Sequence, residues 1–413
     1  MKYSHEYTGN SAVGLDVGTT KICAIVGKET AGRPEITTVG LSPSTGLRKG
    51  MVVDMDLTVS SIERAIKDAS EKEGRQICSA YVGIAGGHIK GFNANGATVT
   101  KGGIVREEDV ARLMDSAGAV YVPVEREILH MIPAGFRLDG VNGIDDPVGM
   151  DGERLEGNVH IVTGSVTSVQ NLVTCCRRAG VDVLDIVLEP LASAESVLTA
   201  AEKKRGVVLV DIGGGTTDIA LYRDGVLRHT AVLSLGGNHL THDISVGLGV
   251  PHEEAESIKK KYGYALASTA NEMRGVRLDL PPVNGDFRQT KEIPLRYLAE
   301  IVQARCEELM ELVKKELEDT CENMGKATIV LTGGTALLKG IRELTEGIFG
   351  LPVEIGIPEG IVDKGLVHSP IFATGVGLVR YGLSHYAQED LESVGVLERM
   401  RKWVSGFLNK YPK

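Results

Sequence analysis

The sequence predicts an α/β protein in which two related lobes close on one bound nucleotide. Two segments repeat a single pattern, SAVGLDVGTTKICAIVG (residues 11–27) and GVVLVDIGGGTTDIALY (residues 206–222). Each runs from an apolar stretch through Asp and a Gly/Thr turn into a second apolar stretch, as expected of a β-hairpin. A third segment, KATIVLTGGTALLKGIREL (residues 326–344), adds a strand that enters a Gly-Gly turn followed by helical spacing. A hairpin loop that occurs twice indicates two related lobes facing one cleft.

The residue types in these turns suit phosphate groups. Glycine lets backbone N–H groups approach an anion, and threonine adds a hydroxyl donor. The glycines and threonines of the two hairpin turns are Gly18, Thr19, Thr20, Gly213, Gly214, Gly215, Thr216 and Thr217. Asp16 and Asp211 only accept hydrogen bonds, so we expect them to hold a hydrated Mg²⁺ that bridges to the nucleotide. One such turn alone would be an ordinary hairpin, but two with a strand–Gly-Gly turn predict nucleotide binding.

Other nucleotide folds and other classes of protein fit less well. The chain has no GxxxxGK[ST] loop, and no GxGxxG leads from a strand into a helix. The net charge of -10 and an aromatic content of 4% argue against nucleic-acid binding. There is no signal-peptide pattern, no run of about 18 apolar residues, and six scattered cysteines. We therefore expect a cytoplasmic folded body with reduced thiols.

The motifs resemble those of the actin-like ATPase superfamily, which includes actin, Hsp70 and sugar kinases. DVGTTK (residues 16–21) resembles the first phosphate motif, which adds Lys21, and DIGGGTTDIA (residues 211–220) resembles the second. LTGGTALLKG (residues 331–340) resembles the adenosine motif with Gly333 and Gly334. LEPLASAESVL (residues 188–198) and ATGVGLVRYG (residues 373–382) resemble the two helices that connect the lobes. The resemblance implies an actin-like bilobal fold of two RNase H-like lobes, with ATP and Mg²⁺ in the cleft.

Two further stretches extend the resemblance to the base end of the nucleotide. LSLGGNHLTHDI (residues 233–244) places Gly236, Gly237 and Asn238 beside the nucleotide, and EEAESIKKKYG (residues 253–263) follows it. Glu256 and Lys259 are three apart, so they share one face of a helix. Similar proteins contact the ribose and base there, although a solvated charged face would explain the pair equally well.

Within the superfamily the chain resembles the FtsA family of bacterial cell-division proteins. Residues 129–164 resemble the small subdomain inserted in that family, and LRKGMVVDMDLTVSSIERAI (residues 47–66) fits as well. The resemblance implies a first lobe made of residues 11–85, 165–205 and 358–385, which is interrupted by an inserted α/β subdomain at residues 86–164. The second lobe has a core made of residues 206–235 and 318–357 and a subdomain at residues 236–317. A linker (residues 386–395) then leads to an amphipathic helix (residues 396–413).

The family resemblance also implies polymerisation and partners. It implies actin-like filaments and docking of the C-terminal peptide of tubulin-like FtsZ on the second lobe. Arg305, on a helix predicted over residues 294–317 with apolar Leu298, Ile301, Val302, Leu309 and Leu312, stands where the family meets that peptide. Its fork suits a carboxylate, although such an arginine is also common on surfaces without a partner.

Glu189 opens the first connecting helix, where filament-forming relatives place the residue that orients the attacking water. A carboxylate there would equally cap the helix N-terminus. We expect ATP binding with at most slow hydrolysis, in which nucleotide acts as an assembly switch.

The end of the chain predicts a membrane-targeting helix. Apolar residues recur at i, i+3, i+4 and i+7 from residue 396, on one face of a helix, with basic residues on the other. The apolar face includes Met400, Trp403, Val404, Phe407 and Leu408, and the basic residues include Arg399, Arg401, Lys402 and Lys410. A docked terminal helix is the alternative, but the basic residues lack acidic partners after Glu398, and tryptophan favours the headgroup level.

Other functions of the same fold can be compared with this prediction. A chaperone would need a substrate domain, whereas only about 30 residues follow Gly382. A small-molecule kinase would need a base in the cleft, for which Glu189 is the one candidate. A pilus-assembly scaffold shares the nucleotide motifs, and the tail is what separates it. The sequence therefore predicts a scaffold that tethers FtsZ to anionic lipids at the cytoplasmic face of the membrane at the division site, and that meets later division proteins.

Overall fold

The structure is a computed structural model that describes residues 11–268, 276–279, 290–320 and 327–386. The predicted linker (386–395) lies outside these residues apart from Tyr386, and the amphipathic helix (396–413) lies outside them entirely. None of the helices in these ranges combines the length and the hydropathy that a membrane-spanning segment needs.

Strands and helices alternate along the described chain. The strands are β1 (Ser11–Val17), β2 (Lys21–Thr30), β3 (Arg33–Pro43), β4 (Leu47–Arg48), β5 (Met51–Val52), β6 (Ser79–Ile84), β7 (Lys90–Val99), β8 (Arg126–Leu138), β9 (Val141–Ile144), β10 (Arg154–Ser165), β11 (Asp182–Leu188), β12 (Val207–Ile212), β13 (Thr217–Arg223), β14 (Val226–Leu233), β15 (Val276–Asp279), β16 (Thr290–Ile293), β17 (Thr328–Thr332) and β18 (Val353–Ile355). The α-helices are α1 (Met55–Glu73), α2 (Glu107–Gly118), α3 (Val166–Arg178), α4 (Glu189–Val197), α5 (Ala200–Arg205), α6 (Gly237–Leu248), α7 (His252–Tyr262), α8 (Leu295–Thr320), α9 (Ile341–Phe349) and α10 (Ala373–Tyr386).

Two five-stranded sheets repeat one topology, as the two hairpin segments predict. The first sheet has the order β11-β6-β1-β2-β3, and the second has the order β14-β13-β12-β17-β18. In each, an antiparallel hairpin (β1–β2 or β12–β13) extends to a third antiparallel strand on one side, while a parallel strand joins on the other. The central strands β1 and β12 are fully buried, because helices cover both faces of mixed sheets of this kind. The prediction of two related α/β lobes is confirmed.

The inserted segment between β6 and α3 forms a sheet of its own. Its order is β7-β10-β8-β9, and α2 packs on it through a separate apolar core that includes Leu113, Leu155 and Ile161. Its strands also contact β14 of the second lobe. The segment is therefore a small α/β unit that has its own core and touches both lobes.

The two connecting helices cross between the lobes at very short range. A side chain at Gly377 of α10 would overlap the backbone of Ala192 in α4, so only glycine permits the crossing. Ser196 Oγ donates to the carbonyl of Ala373 at 2.7 Å and fixes the crossing from the other side. The lobes are thus joined through one tightly packed helix pair.

Two details differ from the sequence expectation. The segment after the Gly-Gly turn is a short 3₁₀ turn (Gly334–Leu337), and α9 begins only at Ile341 because Gly340 takes a φ of 79°. On α8, the apolar residues Leu298, Val302 and Leu309 are buried, whereas Leu312, also apolar, is 40% exposed. The buried face of the helix continues through Leu309, Val313 and Leu317, and Leu312 lies outside it.

Candidate nucleotide site

A cleft of about 540 Å³ opens between the two lobes, and almost every residue predicted to bind nucleotide lines it. The predicted residues that line it are Asp16, Gly18, Thr19, Thr20, Lys21, Glu189, Asp211, Gly213, Gly214, Gly215, Thr216, Gly237, Asn238, Glu256, Lys259, Gly333 and Gly334. They come from both hairpins, from α4, from α6 and α7 of the second-lobe subdomain, and from the turn after β17. A cleft of this size, built from two duplicated loops, suits a nucleotide.

The two hairpin loops face each other across the floor of the cleft. A side chain at Gly214 would collide with Thr20, and one at Gly215 would collide with Thr19. The threonines of the first loop therefore lie directly against the glycines of the second. Opposed donors of this kind form a cage for phosphate oxygens.

The second loop is held in place by the start of α6. The backbone N–H of Gly237 donates to the carbonyl of Gly213 at 2.9 Å, and that of Asn238 donates to Gly214 at 2.8 Å. Gly236 has no room for a side chain, because a Cβ would meet the carbonyls of Gly213 and Thr216. Gly236 therefore supports the loop from below and does not line the cleft, unlike the expectation.

Thr217 also departs from the expectation. Its hydroxyl donates to the carbonyl of Leu235 at 2.8 Å, and the residue is fully buried. As the first residue of β13 it points to the face opposite its neighbour Thr216, because successive strand side chains alternate. Thr216 lines the cleft, whereas Thr217 ties the hairpin to the segment before α6.

Acidic groups are concentrated beneath the phosphate loops. Asp16 forms a 2.6 Å ion pair with Lys21, and Asp211 Oδ2 accepts from Ser193 Oγ at 2.5 Å and from Thr374 Oγ1 at 3.3 Å. Burial raises the pKa of Asp211 to about 6, although the hydrogen bond from Ser193 acts in the opposite direction. Burial alone would lower the pKa of Lys21, but the charge of Asp16 raises it above its usual value.

Two more carboxyl groups join this cluster. Burial, reinforced by Asp16, Asp218 and Asp211, raises the pKa of Glu189 well above its usual range. Burial and the charge of Asp211 likewise raise the pKa of Asp218, whose Oδ1 has no hydrogen-bond partner in the part of the chain that the structure describes. An excess of buried acid with an unsatisfied oxygen is an environment that a cation relieves.

The residues present fit a hydrated Mg²⁺ better than a fully protein-bound one. Within the described residues, no group of three or more acidic, histidine or cysteine side chains could hold a metal directly. Mg²⁺ keeps several waters and needs only one or two carboxylates together with substrate phosphates. Asp16 and Asp211 are the carboxylates that line the cleft beside the phosphate loops.

Glu189 stands in the wall of the cleft as the first residue of α4. A residue that only capped the helix as an anion would have a lowered pKa, because the helix N-terminus favours negative charge. Burial and the charges of Asp16, Asp218 and Asp211 raise the pKa of Glu189. Its position, in the first turn of α4 and in the wall of the cleft, is compatible with both roles.

The other end of the cleft combines a polar pair with an apolar slot. Lys259 Nζ bonds Glu256 at 2.6 Å, the Gly237 carbonyl at 3.0 Å and Thr241 Oγ1 at 2.8 Å. The pair is thus held by other residues and is not a freely solvated face. Apolar residues of the same end are Leu240, Leu337, Leu338 and Ile371. A polar edge beside an apolar slot suits a purine base and its ribose.

Gly333 marks the turn where β17 meets this slot. It has a φ of 84°, and a side chain would collide with Asp211 Oδ1 and the carbonyl of Ile212. Both constraints demand glycine at this position. The turn after β17 therefore lies directly against the second phosphate loop.

Several lining residues were not foreseen from the sequence. Ser193, Asp218 and Thr374 sit at or beneath the cleft through contacts between distant segments, and Thr335 and Lys260 line its base end. The sequence did place Ser193 and Thr374 in the two connecting helices, which lie beside the cleft. Nothing in their local sequence indicates which side chains of those helices face the cleft.

Arg305 lies away from the cleft, on α8. Its Nε contacts Asp243 Oδ2 at 2.6 Å, its second nitrogen contacts Asp243 Oδ1 at 3.0 Å, and it also bonds Glu308. The guanidinium fork is thus occupied within the chain. A partner carboxylate at this position would have to compete with Asp243.

Two family models match the chain. The model described as cell division protein FtsA matches residues 208–377, and the SHS2 domain inserted in FTSA matches residues 86–163. The first covers most of the second lobe together with the turn and helix that complete the cleft. The second covers the inserted four-stranded unit.

Similar proteins cover nearly the whole chain. The chain is 44% identical to the cell division protein FtsA of Pseudomonas aeruginosa, over 97% of this chain and 98% of that protein. It is 36% identical to the cell division protein FtsA of Escherichia coli K12, over 95% and 97%.

Solved structures share the fold. The PilM–PilN type IV pilus biogenesis complex matches with a TM-score of 0.66 at 18% identity, covering 90% of this chain and 98% of that chain. MreB5 of Spiroplasma citri bound to ADP matches with a TM-score of 0.54 at 16% identity, covering 89% and 94%. These likenesses confirm the actin-like fold class with its inserted subdomain. With identities of 36–44% across almost its full length, the chain belongs to the FtsA family of cell division proteins.

Proposed function

We propose that this protein binds Mg-ATP, polymerises into actin-like filaments and tethers FtsZ filaments to the inner face of the cytoplasmic membrane at the division site. The observation that carries the ATP assignment is the cleft in which Thr20 faces Gly214 and Thr19 faces Gly215. Two opposed phosphate loops at one end and an apolar slot beside Glu256 and Lys259 at the other suit a nucleoside polyphosphate. A solved relative of the same fold is described as bound to ADP.

Within that cleft, each residue has a proposed task. Thr19, Thr20 and the glycine N–H groups bind phosphate oxygens, and Lys21 neutralises part of their charge. Asp16 and Asp211 would hold a hydrated Mg²⁺ ion, which would neutralise part of the charge on the phosphates. Glu256 and Lys259 orient the ribose and base.

Hydrolysis is proposed to be slow. Glu189 would orient the attacking water, and burial beside Asp16, Asp218 and Asp211 raises its pKa. The described cleft supplies Lys21 as a clamp, but catalysis of phosphoryl transfer depends on several such charges held together. The nucleotide therefore acts mainly as a switch that stabilises the closed, polymerising arrangement of the lobes.

Attachment to the membrane is proposed to lie in residues 396–413, joined by the linker 386–395. The face containing Trp403 and Phe407 would enter the headgroup region, while Arg399, Arg401, Lys402 and Lys410 meet anionic lipids. Each basic residue contributes about 1 kcal/mol near such a surface, so a single tail binds reversibly. A filament presents many tails, so polymerisation would control attachment through avidity.

Partner binding is proposed for two surfaces. The C-terminal peptide of FtsZ would dock beside Arg305 on the subdomain 236–317, and later division proteins would meet the inserted subdomain 86–164. The family assignment supports a role among division proteins, and α8 is exposed beside the half-buried Arg305, at Ala304, Glu307 and Glu308.

The proposal can be tested by flotation of labelled FtsZ filaments with vesicles that contain anionic lipid. We expect FtsZ to float only when the full chain and Mg-ATP are both present. The variant Trp403→Glu/Phe407→Glu should keep FtsZ binding in solution and lose flotation. Flotation of FtsZ by that variant at the wild-type level would contradict the tethering role of the tail.

A further inference from the structure

A second, much smaller cavity shares Glu189 with the nucleotide cleft. It measures about 10 Å³ and is lined by Glu189, His88, Ser168, Gly50 and Gly83 among others. About this volume is what one water molecule requires, provided that it finds two to four polar partners. Glu189 therefore stands in a wall between the nucleotide cleft and a site of the size of one water.

His88 is an unusual lining residue, because both of its ring nitrogens are buried and lack a hydrogen bond. Neither ring nitrogen is exposed to solvent, and neither has a hydrogen-bond partner among the residues that the structure describes. Burial, with a smaller effect of Arg126, lowers the pKa of His88 to about 4. The ring is thus neutral at pH 7, with one nitrogen as donor and the other as acceptor. An unpaired buried imidazole is costly.

Local backbone geometry fixes both side chains at the cavity. A Cβ at Gly86 would lie 2.9 Å from His88 Nδ1, so the glycine leaves the space that the ring occupies. A Cβ at Gly83 would lie 3.2 Å from Glu189 Cγ and 3.5 Å from its Oε1, which puts the carboxyl against the end of β6. The glycines at the end of β6 and just after it thus accommodate the imidazole and the carboxyl.

The cavity wall is also joined to the first phosphate loop. The backbone N–H of Gly50 donates to Thr19 Oγ1 at 3.1 Å. Gly50 itself packs against the backbone of Gly86. The segment between β4 and β5 therefore closes the cavity and contacts a threonine that faces the phosphates.

We propose that this cavity holds one ordered water molecule that hydrogen-bonds to His88 and to the Glu189 carboxyl, which makes His88 a positioning residue for Glu189. The bridge satisfies the imidazole and holds the carboxyl in one orientation toward the cleft. The inference deepens the proposed function, on which it rests, because it concerns the group that orients the attacking water. His88 acts through Glu189 and does not touch the nucleotide.

The test uses the full chain and two variants of His88. His88→Leu removes both hydrogen-bonding nitrogens, whereas His88→Gln keeps one donor and one acceptor of similar reach. The dissociation constant for ATP and the single-turnover hydrolysis rate are measured for each. We expect His88→Leu to slow hydrolysis roughly 10- to 100-fold, as small misplacements of a reacting geometry do, with the ATP dissociation constant within about twofold of wild type. His88→Gln should restore most of the rate.

A high-resolution crystal structure supplies the second readout. We expect one water within hydrogen-bond distance of a His88 nitrogen and of a Glu189 carboxyl oxygen, and we expect it to be absent in His88→Leu. A dry cavity, an unchanged rate in His88→Leu, or equal slowing in the leucine and glutamine variants would overturn the inference. Glu189→Gln separates the two proposals. If this variant hydrolyses ATP at the wild-type rate, the proposed role of Glu189 in hydrolysis is wrong. Electron density beside His88 in the wild-type protein still shows whether the cavity holds a water molecule.

Discussion

The Ser193 hydroxyl donates a 2.5 Å hydrogen bond to Asp211 Oδ2 and so joins the first connecting helix to the strand that precedes the second phosphate loop. Thr374 of the other connecting helix reaches the same oxygen at 3.3 Å and lies 3.1 Å from the Ser193 hydroxyl. Both helices between the lobes therefore converge on one carboxylate of the cleft. A change in the angle between the lobes would move the donors of Asp211, which couples the nucleotide to lobe closure.

Replacing Asp211 should remove the magnesium-dependent part of ATP affinity. Asp211→Asn keeps the shape and the acceptor for Ser193 but removes the charge. Because a charge-assisted contact contributes about 1.5–3 kcal/mol, we expect Mg-ATP to bind roughly 10- to 100-fold more weakly. ATP in EDTA should bind with an affinity close to that of wild type. Calorimetric titration with and without Mg²⁺ measures both, and equal Mg-ATP affinities of variant and wild type would contradict the metal role.

The close approach of the two loops predicts the effect of one added methyl group. In Gly214→Ala the new Cβ would meet Thr20, so the loops must separate. Overpacking costs about 1–3 kcal/mol, and we expect ATP affinity to fall tenfold or more. The matched control is Gly347→Ala on α9, where a Cβ meets no atom within 4 Å. The control should bind ATP normally and gain stability, and a normal affinity in Gly214→Ala would refute the facing-loop geometry.

The ion pair between Arg305 and Asp243 makes a two-sided prediction for FtsZ binding. Arg305→Ala should weaken binding of the C-terminal peptide, whereas Asp243→Asn should strengthen it by releasing the guanidinium fork. The cost to folding should stay near 0–1 kcal/mol, since such partly exposed pairs contribute little. Fluorescence anisotropy with a labelled peptide measures affinity. The control is Arg296→Ala on the same helix, where Arg296 pairs with Glu300. An equal loss of peptide affinity in Arg305→Ala and Arg296→Ala would show that Arg305 is not a specific part of the docking site.

Trp403 reports directly on the tail because it is the one tryptophan in the sequence. We expect its emission to shift to the blue when vesicles with anionic lipid are added, and the shift should weaken as salt rises. Zwitterionic vesicles should give a much smaller shift. In Arg401→Glu/Lys402→Glu the apolar face is kept, but membrane affinity should fall by at least tenfold. An emission shift that does not depend on salt or on lipid charge would argue for docking of the tail on the protein body.

His160 predicts a pH dependence of stability at the junction of the inserted subdomain and the second lobe. It contacts Asn93 at 2.7 Å and Thr230 at 2.8 Å, and burial, assisted by His229, lowers its pKa to about 3. Below about pH 6.5 His160 is protonated in the unfolded chain but stays neutral in the folded protein. The free energy of unfolding therefore decreases as the pH falls below about 6.5. Between pH 7 and pH 5 the loss from this group is about 2 kcal/mol.

The comparison that isolates this group uses His160→Gln. The variant should be less stable than wild type at pH 7, and the difference should shrink by about 2 kcal/mol at pH 5. Urea denaturation at both pH values measures it. His252→Gln, at an exposed position on α7, is the control and should keep the wild-type slope. A stability difference that stays constant with pH would show that His160 is not a buried neutral group.

Local patterns in the sequence were enough to predict the two phosphate loops. Asp followed by Gly and Thr between two apolar strands allows few conformations other than a tight hairpin, so the positions of Gly18 and Gly213 could be read directly. The helix around Arg305 follows from the spacing of its apolar residues, whereas the connecting helices were predicted from the family resemblance. The outward position of Leu312 could not be predicted in the same way, because helical spacing gives a face but not the extent of the surface that covers it.

The sequence by itself determined the duplicated α/β lobes, the nucleotide cleft's principal loops and a basic amphipathic segment at residues 396–413. These features depend on residues adjacent in the chain, where steric limits and periodicity act. Only the tertiary structure decided that Thr217 points away from the cleft and that Asp243 forms an ion pair with Arg305. It also decided that Ser193 and Thr374 both donate hydrogen bonds to Asp211. Those contacts join segments that are distant in the chain, so they arise from how the lobes and helices pack and not from any local pattern.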